Sequence, residues 1–129
     1  MVLIKNSQQL VIEANNQIRT LTIDEAIQAY ISSSAIFVDI REQFELEQRG
    51  RIPGTIHIPR GVLEFKVDPD SPYFDSVFDK PEPIILFCQS GWRSALATLA
   101  LQNMGIHSVA HIDGGYAAWL GAGGKVDGR

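Results

Sequence analysis

The sequence predicts an α/β fold, an open parallel sheet with helices on both faces. Three observations carry that expectation. Ala35 to Asp39 and Ile84 to Phe87 are short apolar runs without inward-outward alternation, as expected for strands covered on both sides. Segments of helical periodicity lie between such runs, and strand-helix alternation is the pattern of parallel sheets built from crossovers. Polar residues with useful chemistry, Asp39 and Cys88, stand at the ends of the two runs, where parallel sheets gather functional groups.

The elements follow in order. Asn6 or Ser7 starts a short helix through about Asn15, with Leu10, Val11 and Ala14 at helical spacing and a polar face that reads as solvated. The brief segment Ile18-Arg19-Thr20 leads to Thr22-Ile23-Asp24-Glu25, a capping box that opens a helix burying Ala26, Ile27, Tyr30 and Ile31. After the first buried strand, Glu42 to Arg49 reads as a helix stopped by Gly50. Pro53-Gly54 is a turn, Thr55 to Ile58 a strand, and Pro59 opens a helical stretch through Val62, Leu63 and Phe65. Residues 68–72 are loop by composition, with a turn of helix around Tyr73 to Phe78. The central strand is followed by a largely apolar helix from Trp92 to Met104 with Gly105 as its stop. Ser108 to Ile112 is the last strand, Asp113-Gly114-Gly115 turns into a helix holding Tyr116 and Trp119 in the core, and Gly121 to Arg129 reads as tail.

The 129 residues suit a single domain with its core at about 20–126 and an N-terminal helical extension at about 6–16. A chain of that length buries roughly 60–70% of its unfolded surface without disulfides. Apolar residues at 45% and charged residues at 20% exclude a disordered chain. A net charge of −4 without a basic run gives no support for nucleic-acid or membrane binding. The one cysteine cannot form an internal disulfide, which points to a reducing compartment, with the cytoplasm as the expected location. Met1 to Lys5 is too short for the hydrophobic region of a signal peptide.

Cys88 falls between a strand's carboxyl end and a helix's amino end, facing backbone N–H groups that no turn of helix satisfies. Such groups favour an anion. The helix dipole contributes only about 0.3–2 kcal/mol, so further N–H groups of the loop and the charge of Arg93 are expected to share the work. Cys88 is therefore expected to be a thiolate nucleophile rather than an inert core cysteine.

Four separated segments resemble single-domain rhodaneses, a family of sulfurtransferases. They are Val38-Asp39-Ile40-Arg41-Glu42, residues 50–61 (Gly-Arg-Ile-Pro-Gly-Thr-Ile-His-Ile-Pro-Arg-Gly), Cys88-Gln89-Ser90-Gly91-Trp92-Arg93-Ser94, and Asp113-Gly114-Gly115-Tyr116-Ala117-Ala118-Trp119. The resemblance runs from about Thr22 to Val126 and implies the rhodanese-like version of the open parallel sheet. It implies that Cys88 takes a sulfane sulfur from a donor such as thiosulfate or a persulfide, and passes it from a persulfide to cyanide, a thiol or a protein acceptor. Gln89, Ser90, Gly91, Trp92 and Arg93 would form the cradle, largely through main chain, with Ser94 fixing the helix start. No cofactor is implied. Phosphatases of the same fold carry one more residue between cysteine and arginine; here four residues separate Cys88 from Arg93. Phosphatase or arsenate reductase is therefore the second reading, and a regulatory or sulfur-carrier-binding module the third. Many relatives have histidine where this chain has Arg51.

Other residues are weighed against blander roles. Asp39 and Arg41 are expected near the Cys88 loop in a supporting role, tying loops together. Arg60 either attracts an anionic donor or is simply solvated. His107 and His111 on one strand would stand about 13 Å apart, so no metal site is expected, and His57 is expected to be a core or supporting residue. Residues 121–125 lack the spacing of a phosphate loop.

Overall fold

The computed structural model describes residues 1–128; Arg129, the last residue of the expected tail, lies outside them. The strands are β1 (Arg19–Leu21), β2 (Ile36–Asp39), β3 (Ile56–His57), β4 (Ile84–Phe87) and β5 (Val109–Ile112). All pairs are parallel, and the order across the sheet is β1-β5-β4-β2-β3. The helices are α1 (Ser7–Asn15), α2 (Ile23–Ile31), α3 (Gln43–Arg49), α4 (Leu63–Val67), α5 (Trp92–Asn103) and α6 (Gly115–Gly121). Two 3-10 turns, Arg60–Val62 and Ser76–Asp79, complete the stretches expected to be helical around them.

Each central strand is buried on both faces, as its unbroken apolar run requires. Ile36, Val38, Ile84, Leu86 and Val109 pack on one side against Leu63 and Val67 of α4 and Ala97 and Leu101 of α5. Phe37, Ile85, Phe87, Ala110 and Ile112 pack on the other against Ala26 of α2 and Tyr116 and Trp119 of α6. Thr22 and Glu25 form the expected capping box at the start of α2, satisfying two otherwise orphaned N–H groups reciprocally. Asn6 and Gln9 do the same for α1.

Three expectations change. Ile31, expected in the core, is 68% exposed at the end of α2. The segment at 18–20 becomes the edge strand β1, whose Thr20 pairs in register with His111 of β5. The tail at 121–128 is tied back: Trp119 Nε1 donates to the Lys125 carbonyl at 2.9 Å, and Gly124 lies so close to the Trp119 ring that a Cβ there would stand 2.4 Å from it. Asp127 and Arg51 exchange backbone hydrogen bonds of 2.8 and 2.9 Å. Arg51 also donates from Nη2 to the Thr55 carbonyl at 3.0 Å, so it holds the Pro53-Gly54 turn itself. Among the described residues, no helix is long and apolar enough to cross a membrane.

Candidate active site

The loop after β4 places Cys88 at the carboxyl edge of the sheet with only 1% of its surface exposed. Its Sγ accepts from the Gly91 N–H at 3.2 Å and the Ser94 N–H at 3.4 Å, and the thiol donates to Ser94 Oγ at 3.5 Å. Gly91 makes this closure with φ +102°, a left-handed conformation that a side chain would strain. The contacts on sulfur thus come from Gly91 and Ser94. Trp92 and Arg93 open α5, so their N–H groups have no intrahelical partner. Gln89 is half-buried and Ser90 exposed, while Trp92 is 69% exposed.

The loop is held from behind by α6. The N–H groups of Tyr116 and Ala117 donate to the carbonyls of Cys88 and Gln89 at 2.8 and 3.0 Å. A Cβ on Gly115 would stand 2.5 Å from the Cys88 carbonyl oxygen, so the glycine allows this approach. With those carbonyls drawn toward α6, the loop presents N–H groups to sulfur.

The Arg93 side chain has a partner that the sequence did not indicate. Its guanidinium donates twice to Glu45 of α3, at 2.7 and 3.0 Å, so most of its charge is committed to that carboxylate. The paired guanidinium holds the Glu45 carboxyl at about 2, well below its ordinary 4.5. Glu45 in turn holds Arg93 above its usual value, with the Cys88 sulfur a lesser influence in the same direction. Glu45 was not among the residues singled out from sequence, where it reads as the polar start of a helix.

Asp39 and Arg41 are fully buried and paired, with 2.7 Å between Arg41 Nη2 and Asp39 Oδ2. Arg41 further donates to the Gly50 carbonyl at 3.0 Å and to Gln89 Oε1 at 3.5 Å, and its guanidinium lies 4.0 Å from the Tyr116 ring centroid. One side chain therefore joins the end of β2, the end of α3, the cysteine loop and α6. His57 Nε2 lies 2.7 Å from the Arg41 carbonyl, which keeps it in a supporting position. Arg60 pairs with Glu64 at 2.8 Å, one turn along its own segment.

Below Ser94 lies a group that sequence reading weighed only as a metal ligand. His111 of β5 is buried, with Nδ1 2.9 Å from Ser94 Oγ and Nε2 3.0 Å from Asn15 Oδ1 and 3.1 Å from Thr20 Oγ1. Burial pushes the imidazole below its ordinary value, and Asp113 pulls it the other way. Asn15 lies on the supposedly solvated face of α1, so that helix reaches the site. No periodicity marks a histidine in a doubly buried strand.

Comparison with known proteins agrees with this architecture. The family model described as "Rhodanese-like domain" matches residues 22–122. Thiosulfate sulfurtransferase 16, chloroplastic, of Arabidopsis thaliana is 38% identical over 64% of this chain and 72% of its own length. The thiosulfate:glutathione sulfurtransferase of Homo sapiens is 27% identical over 78% of this chain and 92% of its own. A solved structure from Rhodopseudomonas palustris, described as a protein of unknown function and "possible tyrosine phosphatase", superposes with a TM-score of 0.94. It is 41% identical and covers 98% of both chains. With the family match spanning most of the chain and Cys88 at the expected end of the central strand, the protein belongs to the rhodanese-like domain family.

Proposed function

We propose that the protein is a sulfurtransferase that carries a sulfane sulfur on Cys88. The observation that supports it is the small cradle on Sγ, built from the Gly91 and Ser94 N–H groups while the Arg93 guanidinium is held by Glu45. Such a site fits a single anionic sulfur atom. In the first step the Cys88 thiolate attacks the outer sulfur of thiosulfate. A new S–S bond forms, the old one breaks, and sulfite leaves with its electron pair. The persulfide's terminal sulfur would stand about 2 Å farther out. In the second step a thiolate or cyanide attacks that terminal sulfur, and the electrons of the S–S bond return to Cys88. The names of the Arabidopsis and human relatives support thiosulfate as donor, and the human one supports a glutathione-type thiol as acceptor.

A phosphatase reading draws on the description of the Rhodopseudomonas structure. Against it stand the four-residue interval from Cys88 to Arg93 and the pairing of Arg93 with Glu45, which engages the group that would hold a phosphate.

The test is an intact mass of the protein before and after thiosulfate and again after cyanide, with Cys88→Ser alongside. A gain of one sulfur atom, reversed by cyanide and absent in the variant, is expected. No gain with thiosulfate, mercaptopyruvate or low-molecular-weight persulfides, together with turnover of an aryl phosphate, would overturn the reading.

A further inference from the structure

The hydrogen bonds beneath Cys88 have a direction. Asn15 Oδ1 can only accept, and it is faced by His111 Nε2 at 3.0 Å and by the Thr20 hydroxyl at 3.5 Å. His111 Nε2 therefore carries the imidazole hydrogen, which is shared with Thr20 Oγ1 at 3.1 Å. A neutral imidazole protonated at Nε2 leaves a lone pair on Nδ1. Ser94 Oγ stands 2.9 Å from that lone pair, so its hydroxyl donates to His111 and its own lone pairs remain for the Cys88 thiol.

We propose that His111, acting through Ser94 and oriented by Asn15, receives the proton of Cys88 when the thiol is activated. The S–H bond breaks as its proton passes to Ser94 Oγ, while the Ser94 hydroxyl proton passes to His111 Nδ1. The S–H electron pair stays on sulfur. The products are a thiolate, an intact serine hydroxyl and an imidazolium, with net charge unchanged and no outside reactant. Burial opposes the imidazolium; the thiolate, one hydroxyl away in a poorly screened interior, favours it. The groups that α1, β1 and α5 place in contact with the imidazole are the neutral Asn15, Thr20 and Ser94. The charged group acting on it is Asp113, just beyond its own strand, and the Cys88 thiol at the end of β4 lies across Ser94 from it.

His111 and Asn15 are positioning residues, since they reach the reacting sulfur only through Ser94. Asn15 and Thr20 lie outside the span of the family match, so the N-terminal helix and edge strand become part of this chain's site. The proposal rests on Cys88 being a nucleophile but not on sulfur being the group it carries.

The test uses the full-length protein and the rate of Cys88 alkylation by iodoacetamide across roughly pH 4 to 10. Internal proton transfer predicts two rises. The lower one leads to a plateau near neutrality that reflects the thiolate-imidazolium pair, and the upper one reflects loss of the remaining proton. His111→Gln is expected to keep only the upper rise, with the neutral rate down at least about tenfold. Asn15 is exposed, so its variants should fold. Asn15→Asp should lift the neutral plateau by stabilising the imidazolium, and Asn15→Leu should lower it. Superimposable profiles for the native protein and His111→Gln, or Asn15 variants that shift in the same direction, would overturn the relay. Independently of any variant, nitrogen-15 spectra should show neutral His111 protonated at Nε2, and protonation at Nδ1 would overturn it. Failure of sulfur loading alongside a two-step profile would count against sulfur transfer and leave the relay standing.

Discussion

Glu45→Gln isolates the ion pair that redirects Arg93. Holding the carboxyl at about 2 rather than 4.5 corresponds to a ceiling of roughly 3 kcal/mol, at about 1.4 kcal/mol per pH unit. Arg93 is 39% exposed, and solvent screens that side of the pair, so we predict a loss of about 1–2 kcal/mol at pH 7. The sign follows from the depressed value. The contribution is fully present above the unfolded carboxyl's 4.5 and is lost as pH falls toward about 2, shrinking to less than roughly half by pH 3. Urea unfolding of both proteins at pH 7 and pH 3 measures it. An equal stability difference at the two pH values would refute the assignment of that energy to ionised Glu45. The same variant releases Arg93 beside the cysteine loop, so alkylation by the anionic reagent iodoacetate should speed up relative to neutral iodoacetamide.

Three further predictions concern the frame of the site. Arg41→Met leaves Asp39 charged and buried without its partner and should cost about 3–5 kcal/mol in urea unfolding; a cost under about 1 kcal/mol would mean that Asp39 is satisfied by other groups. Gly115→Ala places a methyl 2.5 Å from the Cys88 carbonyl at a φ of +59°. It should cost about 1–3 kcal/mol and slow sulfur loading, and unchanged loading would detach α6 from loop geometry. Trp92→Ala, at an exposed position, should leave stability within about 0.5 kcal/mol while altering the relative rates with thiosulfate and bulkier donors; unaltered ratios would remove Trp92 from the mouth of the site.

Much of the frame was legible because local signals agreed with the global fold. The runs at Ile36 and Ile84, the capping box of Thr22 and Glu25, and the strand-loop-helix passage around Cys88 each specify an element without help from distant residues. What escaped depends on long-range contact. β1 is short, with exposed Arg19 and Thr20, and exists through pairing with β5. Arg93 was expected to lend its charge to the sulfur, yet a guanidinium with a carboxylate within reach takes that partner, and Glu45 comes from a helix 48 residues away. Asn15, Ser94 and His111 meet only once α1 lies on α5 and β1 pairs with β5. The final residues looked like a tail because what anchors them, the Trp119 indole and the Arg51 backbone, leaves no periodic trace.

Helix α5 begins at a glycine, which has no side chain to meet the helix's first N–H groups. The Cys88 sulfur takes that place: by accepting from the Ser94 N–H, it acts as the helix's N-cap from outside the helix. The longest of the described helices is therefore capped by the atom proposed to react, and each chemical state of that atom would be a different cap. An anionic sulfur should cap best, a neutral thioether worst, within the roughly 0.5–2 kcal/mol range of such interactions. Covalent loading of Cys88 should thus be coupled to folding, and a shift of a few degrees in thermal midpoint, at about 2–8 °C per kcal/mol, would report the state of the sulfur without any substrate being turned over.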